Sequence, residues 1–96
     1  MPNRELEQGA EALVNALARV IEARRQALAI SQEELAKRAG ISRTYLSDIE
    51  RGLRNISVVT LTKLARAMQS DASTMLSEAE NATNAVQPNA AESVRS

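Results

Sequence analysis

The chain has 96 residues, 44% of them hydrophobic and mostly Ala, Leu, Ile and Val, enough for one small domain with an aliphatic core. It contains no Cys and no His, which excludes disulfides and thiolate metal sites and removes the commonest general base and metal ligand. An enzyme, a metal centre, a cofactor and a small-molecule ligand are therefore not expected. The formal net charge is zero, but the charges are unevenly placed. Between positions 37 and 66, Lys37, Arg38, Arg43, Arg51, Arg54, Lys63 and Arg66 are opposed only by Asp48 and Glu50, while both flanks are net acidic. Such asymmetry fits a single anion-facing surface, and it equally fits a solvated helix face.

In chain order, Leu13, Val14, Leu17, Val20, Ile21 and Leu28 recur at helical spacing and predict a first helix from about Leu6 to Ala27, loosened early by Gly9. "SQEELAKRAG" carries both of its own ends: Ser31 and Glu34 form a capping box, Leu35 and Ala36 supply an inner face, and Gly40 is a left-handed C-terminal cap. Ser42 caps a third helix with Leu46, Ile49 and Leu53 on its buried side, ended by Gly52. Ser57 caps a fourth, with Val58, Leu61, Leu64, Ala65 and Met68 inward, and a fifth short helix begins near Asp71 and buries Met75 and Leu76. The organisation expected is an N-terminal extension or helix start over 1–9, one all-α domain over 10–78, and a disordered polar tail over 79–96. No apolar run approaches the roughly 18–20 residues of a membrane span, and the first residues lack a signal-peptide core. A cytoplasmic protein is expected.

Two short helices joined by Gly40-Ile41-Ser42 are the elements of a helix-turn-helix. Around the third helix, at about 100° per residue, Thr44, Ser47, Asp48 and Arg51 fall opposite the buried side, with Arg43 and Tyr45 at the two edges. Arg43 has the chemistry for a bidentate contact to guanine, and Thr44 for a thymine methyl or a hydrogen bond. Tyr45, the only aromatic residue, sits at the border of the buried side. Its ring packs there, and its hydroxyl either reaches a phosphate or does nothing further.

The stretch "SQEELAKRAGISRTYLSDIERG", with the helix before it and "LTKLARAM" after it, resembles the phage repressor and Cro-type helix-turn-helix regulators. Within them, "RTYLSDIERGLRNIS" is most similar to restriction–modification controller proteins. The resemblance implies a five-helix fold with the motif as helices 2 and 3, and a homodimer that binds a palindromic double-stranded DNA operator. It implies base contacts from Arg43, Thr44 and Asp48; the Asp departs from the Gln or Asn common in repressors, and it either accepts from cytosine N4 or repels phosphate. It implies phosphate contacts from Gln32, Ser42, Ser47, Arg51, Arg54 and Asn55, with helix capping as the other reading of Gln32 and Ser42 and a solvated loop charge as that of Arg54. It also implies structural roles for an Arg25–Glu50 ion pair and for Ala36 and Gly40 at the helix crossing. Val59, Met75 and Leu76 are candidates for the dimer interface, or core residues. A toxin–antitoxin repressor using the tail, or a protein-interaction module of the same fold, are the alternatives; base-reading chemistry at Arg43-Thr44-Tyr45 speaks against the second.

Overall fold

The computed structural model describes residues 4–85. Five helices follow one another, α1 (Arg4–Ala27), α2 (Gln32–Ala39), α3 (Arg43–Glu50), α4 (Val58–Ala67) and α5 (Ala72–Ala85), and no strand occurs among the described residues. Helices α2 and α3 have eight residues each, too few to persist alone in water, so their ends and their packing must hold them. The hydroxyls of Ser31, Ser42 and Ser57 each accept a first-turn N–H, from Glu34, Tyr45 and Thr60, at 3.0 Å. The capping box expected at Ser31 is half formed. The Glu34 carboxylate turns away to accept from Arg38 Nε at 2.8 Å, and that hydrogen bond holds its pKa below the ordinary carboxylate value. Asp71 caps α5, accepting from Thr74 N at 2.7 Å and Ser73 Oγ at 2.8 Å. The bonds from Thr74, then that from Ser73, lower its pKa.

The first four helices end in the same turn. The N–H groups of Ala29, Gly40, Gly52 and Gln69 bond the carbonyl three residues back, and those of Ile30, Ile41, Leu53 and Ser70 reach the carbonyl five residues back. This is the Schellman pattern, which needs a left-handed residue at its centre. The four central residues have φ of 58°, 74°, 76° and 60°, so Ala29 and Gln69 accept a conformation that costs a non-glycine residue about 1–2 kcal/mol. At Gly52 an added Cβ would lie 2.6 Å from Asn15 Oδ1, the tip of an exposed side chain that can turn aside, so the left-handed φ is the stronger demand for glycine.

Ile21, Leu35, Leu46, Ile49, Leu64 and Met75 are the largest fully buried side chains. Helix α1 lies against α5 and α3, α2 packs on α3 and α4, and α4 also meets α5. Ala36, 2% exposed, sits on the inner face of α2, and its carbonyl accepts from Ile41 N at 3.0 Å. A larger side chain there would overpack the core.

Several sequence expectations need correction. Leu28, Leu53 and Val58 are exposed. Leu28 and Leu53 follow the last helical residues of α1 and α3, so the wheel no longer sets their direction, and Val58 is the first residue of α4, facing outward. Met75 is 0% exposed, as its core reading requires. The fifth helix is longer than expected, and residues 79–85, read as tail, are helical. Ala79 is fully buried, and the Arg24 guanidinium donates to the Glu78 carboxylate through Nε at 3.1 Å, tying this extension to α1. The rest of the expected tail, 86–96, lies outside the described residues, as do residues 1–3.

Candidate nucleic-acid interface

Helix α3 has two sides with opposite tasks. Behind it, Glu50 is held by three donors: Arg25 Nε at 2.8 Å, Arg25 Nη2 at 3.1 Å and Gln32 Nε2 at 2.9 Å. The third nitrogen of Arg25, Nη1, donates to the Ile30 carbonyl at 2.9 Å. One guanidinium and one carboxylate thus join the end of α1, the α1–α2 turn, the start of α2 and the end of α3. The side chains of Arg25 and Glu50 are only 12% and 2% exposed. A buried carboxylate tolerates this only when its lone pairs are filled, and no buried side-chain nitrogen or oxygen among the described residues lacks a partner. The hydrogen bond to Glu50 raises the Arg25 pKa further, against the opposing effect of burial. The ion pair expected between Arg25 and Glu50 is present.

In front, Arg43 and Thr44 are exposed in the first turn, Ser47 and Asp48 half-buried in the second, and Arg51 exposed at the C-terminal cap. Thr44, Asp48 and Arg51 are spaced i, i+4, i+7 and form one stripe; Arg43 and Ser47 form the next. Arg43 and Arg51 have no carboxylate partner among the described residues. Arg54 and Asn55, in the loop beyond, are exposed.

The hydrogen bonds sharpen the readings left open at Ser42 and Gln32. Ser42 Oγ accepts from Tyr45 N at 3.0 Å, which leaves its own hydrogen to donate elsewhere. Capping and phosphate contact are therefore compatible. Gln32 spends one amide hydrogen on Glu50 and keeps its second. Tyr45 is half-buried and packs against the core cluster, in accord with its border position on the wheel.

One arrangement escaped sequence reasoning. The left-handed turn at Gly52 sends the chain back along α3, and Leu53 N donates to the Asp48 carbonyl at 2.9 Å. This return carries Arg54 over the helix. Its guanidinium carbon lies 5.6 Å from the centroid of the Tyr45 ring, within cation–π range, and its Nε lies 3.4 Å from Asp48 Oδ2. Tyr45 and Asp48 are three residues apart and share a face. Gly52 was a signal that the chain turns there, but nothing in the sequence specified that Arg54 returns to those two side chains.

An apolar groove of about 170 Å³ lies away from α3, lined by Leu13, Val14, Leu17, Ile56, Val58, Leu61 and Leu76. Val59, next to Val58, is 63% exposed, and Leu76 is half-buried. No helix among the described residues is long and apolar enough to cross a membrane.

The sequence profile of the helix-turn-helix family matches residues 21–75, which span all of α2, α3 and α4. Over 39 residues, 41% of this chain and 48% of the other, the sequence is 49% identical to the control protein C.BamHI of Bacillus amyloliquefaciens. The matched stretch spans about half or less of the first curated relatives' own length. Among solved structures, the restriction–modification controller protein C.AhdI of Aeromonas hydrophila superposes with a TM-score of 0.62 at 36% identity, covering 66% of this chain and 94% of that one. The controller protein C.Esp1396I, crystallised as a tetramer with its natural 35-base-pair operator, superposes with a TM-score of 0.66 at 26% identity, covering 72% and 91%.

Proposed function

The chain belongs to the helix-turn-helix family of transcription regulators, and from that premise we propose that it is a cytoplasmic, sequence-specific DNA-binding protein of the controller type, acting as a homodimer on a palindromic operator. The observation that carries this is the front of α3: Arg43, with no carboxylate partner among the described residues, and exposed Thr44 occupy its first turn, while a buried ion pair fixes the helix from behind. A helix in the major groove reads bases from its N-terminal residues. In this reading Arg43 takes a guanine edge, Thr44 an adjoining base, and Asp48 an amino donor. Phosphates are held by the free hydrogens of Ser42 and Gln32, by Ser47, the Tyr45 hydroxyl, Arg51 and Asn55, and by Arg54 in the manner argued below.

Pairing across a palindrome needs a second copy. Support comes from the exposed Leu53, Val58 and Val59 and from the groove that Val58 and Leu76 line, apolar surface that a monomer would leave in water. Of the three dimer candidates, Val59 and Leu76 have surface to offer a second copy.

The test is a titration of a duplex selected from a random library and of a random duplex across salt concentrations. Wild type binds the selected duplex with marked preference, and Arg43→Ala lowers that specific affinity by about 1–3 kcal/mol and relaxes one base position. Equal binding of both duplexes by wild type and variant would end the sequence-reading proposal. Sedimentation of wild type and Val59→Asp tests the dimer: a wild-type monomer at micromolar concentration that occupies a single half-site would remove that part. A nuclease and a methyltransferase encoded beside this gene would support the controller assignment.

A further inference from the structure

We propose that Asp48 and Arg54 form an exchangeable pair that makes one phosphate contact conditional on the base facing Asp48. The inference rests on the DNA-reading proposal and concerns how that site discriminates. In the free protein Arg54 already has two partners on the groove-facing helix, the Asp48 carboxylate at 3.4 Å and the face of Tyr45 at 5.6 Å. The Schellman turn at Gly52 determines where its backbone lies, so Arg54 is delivered to this position rather than reaching it by chance.

Both partners hold it weakly. The Arg54 side chain is 56% exposed and that of Asp48 24%, and exposed pairs of this kind contribute little. A phosphate oxygen is a stronger partner for a guanidinium, so DNA is able to take Arg54 away. What opposes the transfer is the carboxylate left behind. Released from Arg54, Asp48 would face a groove walled by phosphates, with its partial burial reducing its access to water.

A base that offers an amino hydrogen, cytosine N4 or adenine N6, satisfies the carboxylate and frees Arg54 for the backbone. A base that presents only acceptors leaves Asp48 dependent on Arg54, and the equilibrium shifts toward the closed pair. Asp48 thereby acts at two levels. It selects an amino-bearing base on the strand it faces, and it disfavours the phosphate contact where guanine or thymine stands there instead. Arg25, the other guanidinium engaged by α3, has no such freedom, because its carboxylate is 2% exposed and filled by Gln32 as well.

The experiment measures the salt dependence of binding to a library-selected 24-base-pair duplex and to a random one, for wild type, Asp48→Ala and Arg54→Gln, with thermal melting to verify that both variants fold. Each phosphate contact adds about 0.9 to the slope of log K against log salt. Between 50 and 200 mM salt, wild type on the selected duplex therefore loses up to about 3.5-fold more affinity per half-site than on the random duplex through Arg54 alone. In Asp48→Ala, Arg54 is free on both duplexes. Its random-duplex slope rises by up to about 0.9 per half-site, its random-duplex affinity increases, and the Arg54 part of the slope difference disappears. In Arg54→Gln that part disappears too, but at the lower slope.

If Arg54→Gln weakens both duplexes by the same factor, the contact is unconditional and the proposal is overturned. Unchanged random-duplex binding by Asp48→Ala overturns it as well, and in both cases the reading of α3 as a base-reading helix survives as long as wild type prefers its selected duplex. Failure of wild type to discriminate at all removes that reading and this inference together.

Discussion

Helix α3 carries an arginine–carboxylate pair on each side, and the two are chemically alike but physically opposite. Behind the helix, Arg25 and Glu50 meet through two hydrogen bonds of 2.8 and 3.1 Å in a buried site with Gln32 as a third partner. In front, Arg54 and Asp48 meet at a single 3.4 Å approach on the surface. Burial raises the cost of breaking the first pair, because a lone charge left there has no water to return to. Exposure lowers the cost of breaking the second, because solvent or another anion replaces the lost partner. The buried pair is a joint and the exposed one a contact available for exchange.

The largest effect expected from breaking this contrast is at Glu50. Glu50→Ala strands the Arg25 charge and removes the acceptor of Gln32, and it should destabilise the fold by about 3–5 kcal/mol in urea unfolding followed by circular dichroism. A cost below about 1 kcal/mol would mean that water reaches Arg25, and the distinction between the two pairs would collapse.

Gln32→Ala gives a smaller, graded version. Glu50 keeps both bonds from Arg25 and loses one neutral donor, so the expected cost is about 1.5–3 kcal/mol, the range for a hydrogen bond to a charged group. The same unfolding measurement checks it. A value equal to that of Glu50→Ala would show that Gln32, rather than Arg25, is the principal support of the carboxylate.

Much of the fold was legible because the chain writes its helix ends in small residues. Ser31, Ser42 and Ser57 cap the helices they were expected to cap, and Gly40 and Gly52 adopt the left-handed conformation for which glycine is suited. Where an ordinary residue does the same work, at Ala29 and Gln69, the signal vanishes from the sequence. The C-terminal half of α5 was illegible for a related reason. Its Ala- and Asn-rich composition reads as tail, and the features that hold it are tertiary: buried Ala79 and the Glu78 partner on α1. Periodicity misdirected Leu28, Leu53 and Val58, because it assumes that the helix continues through residues that lie at or beyond its ends.

At the site, residue types and spacing distinguished the outward face of α3 from its inward face, since both follow from the helical period. They did not reveal the return of Arg54, which depends on the direction of the chain after Gly52. A helical wheel has no information about a loop. The Arg25–Glu50 pair, 25 residues apart in sequence, was equally beyond spacing arguments and came only from the family resemblance.

On the exposed side the expected stability effects are small. A double-mutant cycle of Asp48→Ala and Arg54→Gln in urea unfolding should give a coupling of about 0.2–1 kcal/mol. A coupling above about 2 kcal/mol would make this pair a second joint, too costly to open on DNA.

Tyr45→Phe carries the smallest expected change in stability, within about 0.5 kcal/mol. The ring that packs on the core and carries Arg54 is retained, and no hydrogen bond from the tyrosine hydroxyl occurs among the described residues. The variant therefore separates the two uses of this side chain. If its affinity for a selected duplex falls while its melting temperature holds, the hydroxyl works on DNA and the ring works on Arg54. If affinity and melting temperature both hold, the ring face is the functional part, and Tyr45→Leu should then lower affinity by releasing Arg54 from the groove side of α3. A loss of stability in Tyr45→Phe would instead reveal that the hydroxyl supports the fold, and the exposed side of the helix would be less free of structural duty than its geometry implies.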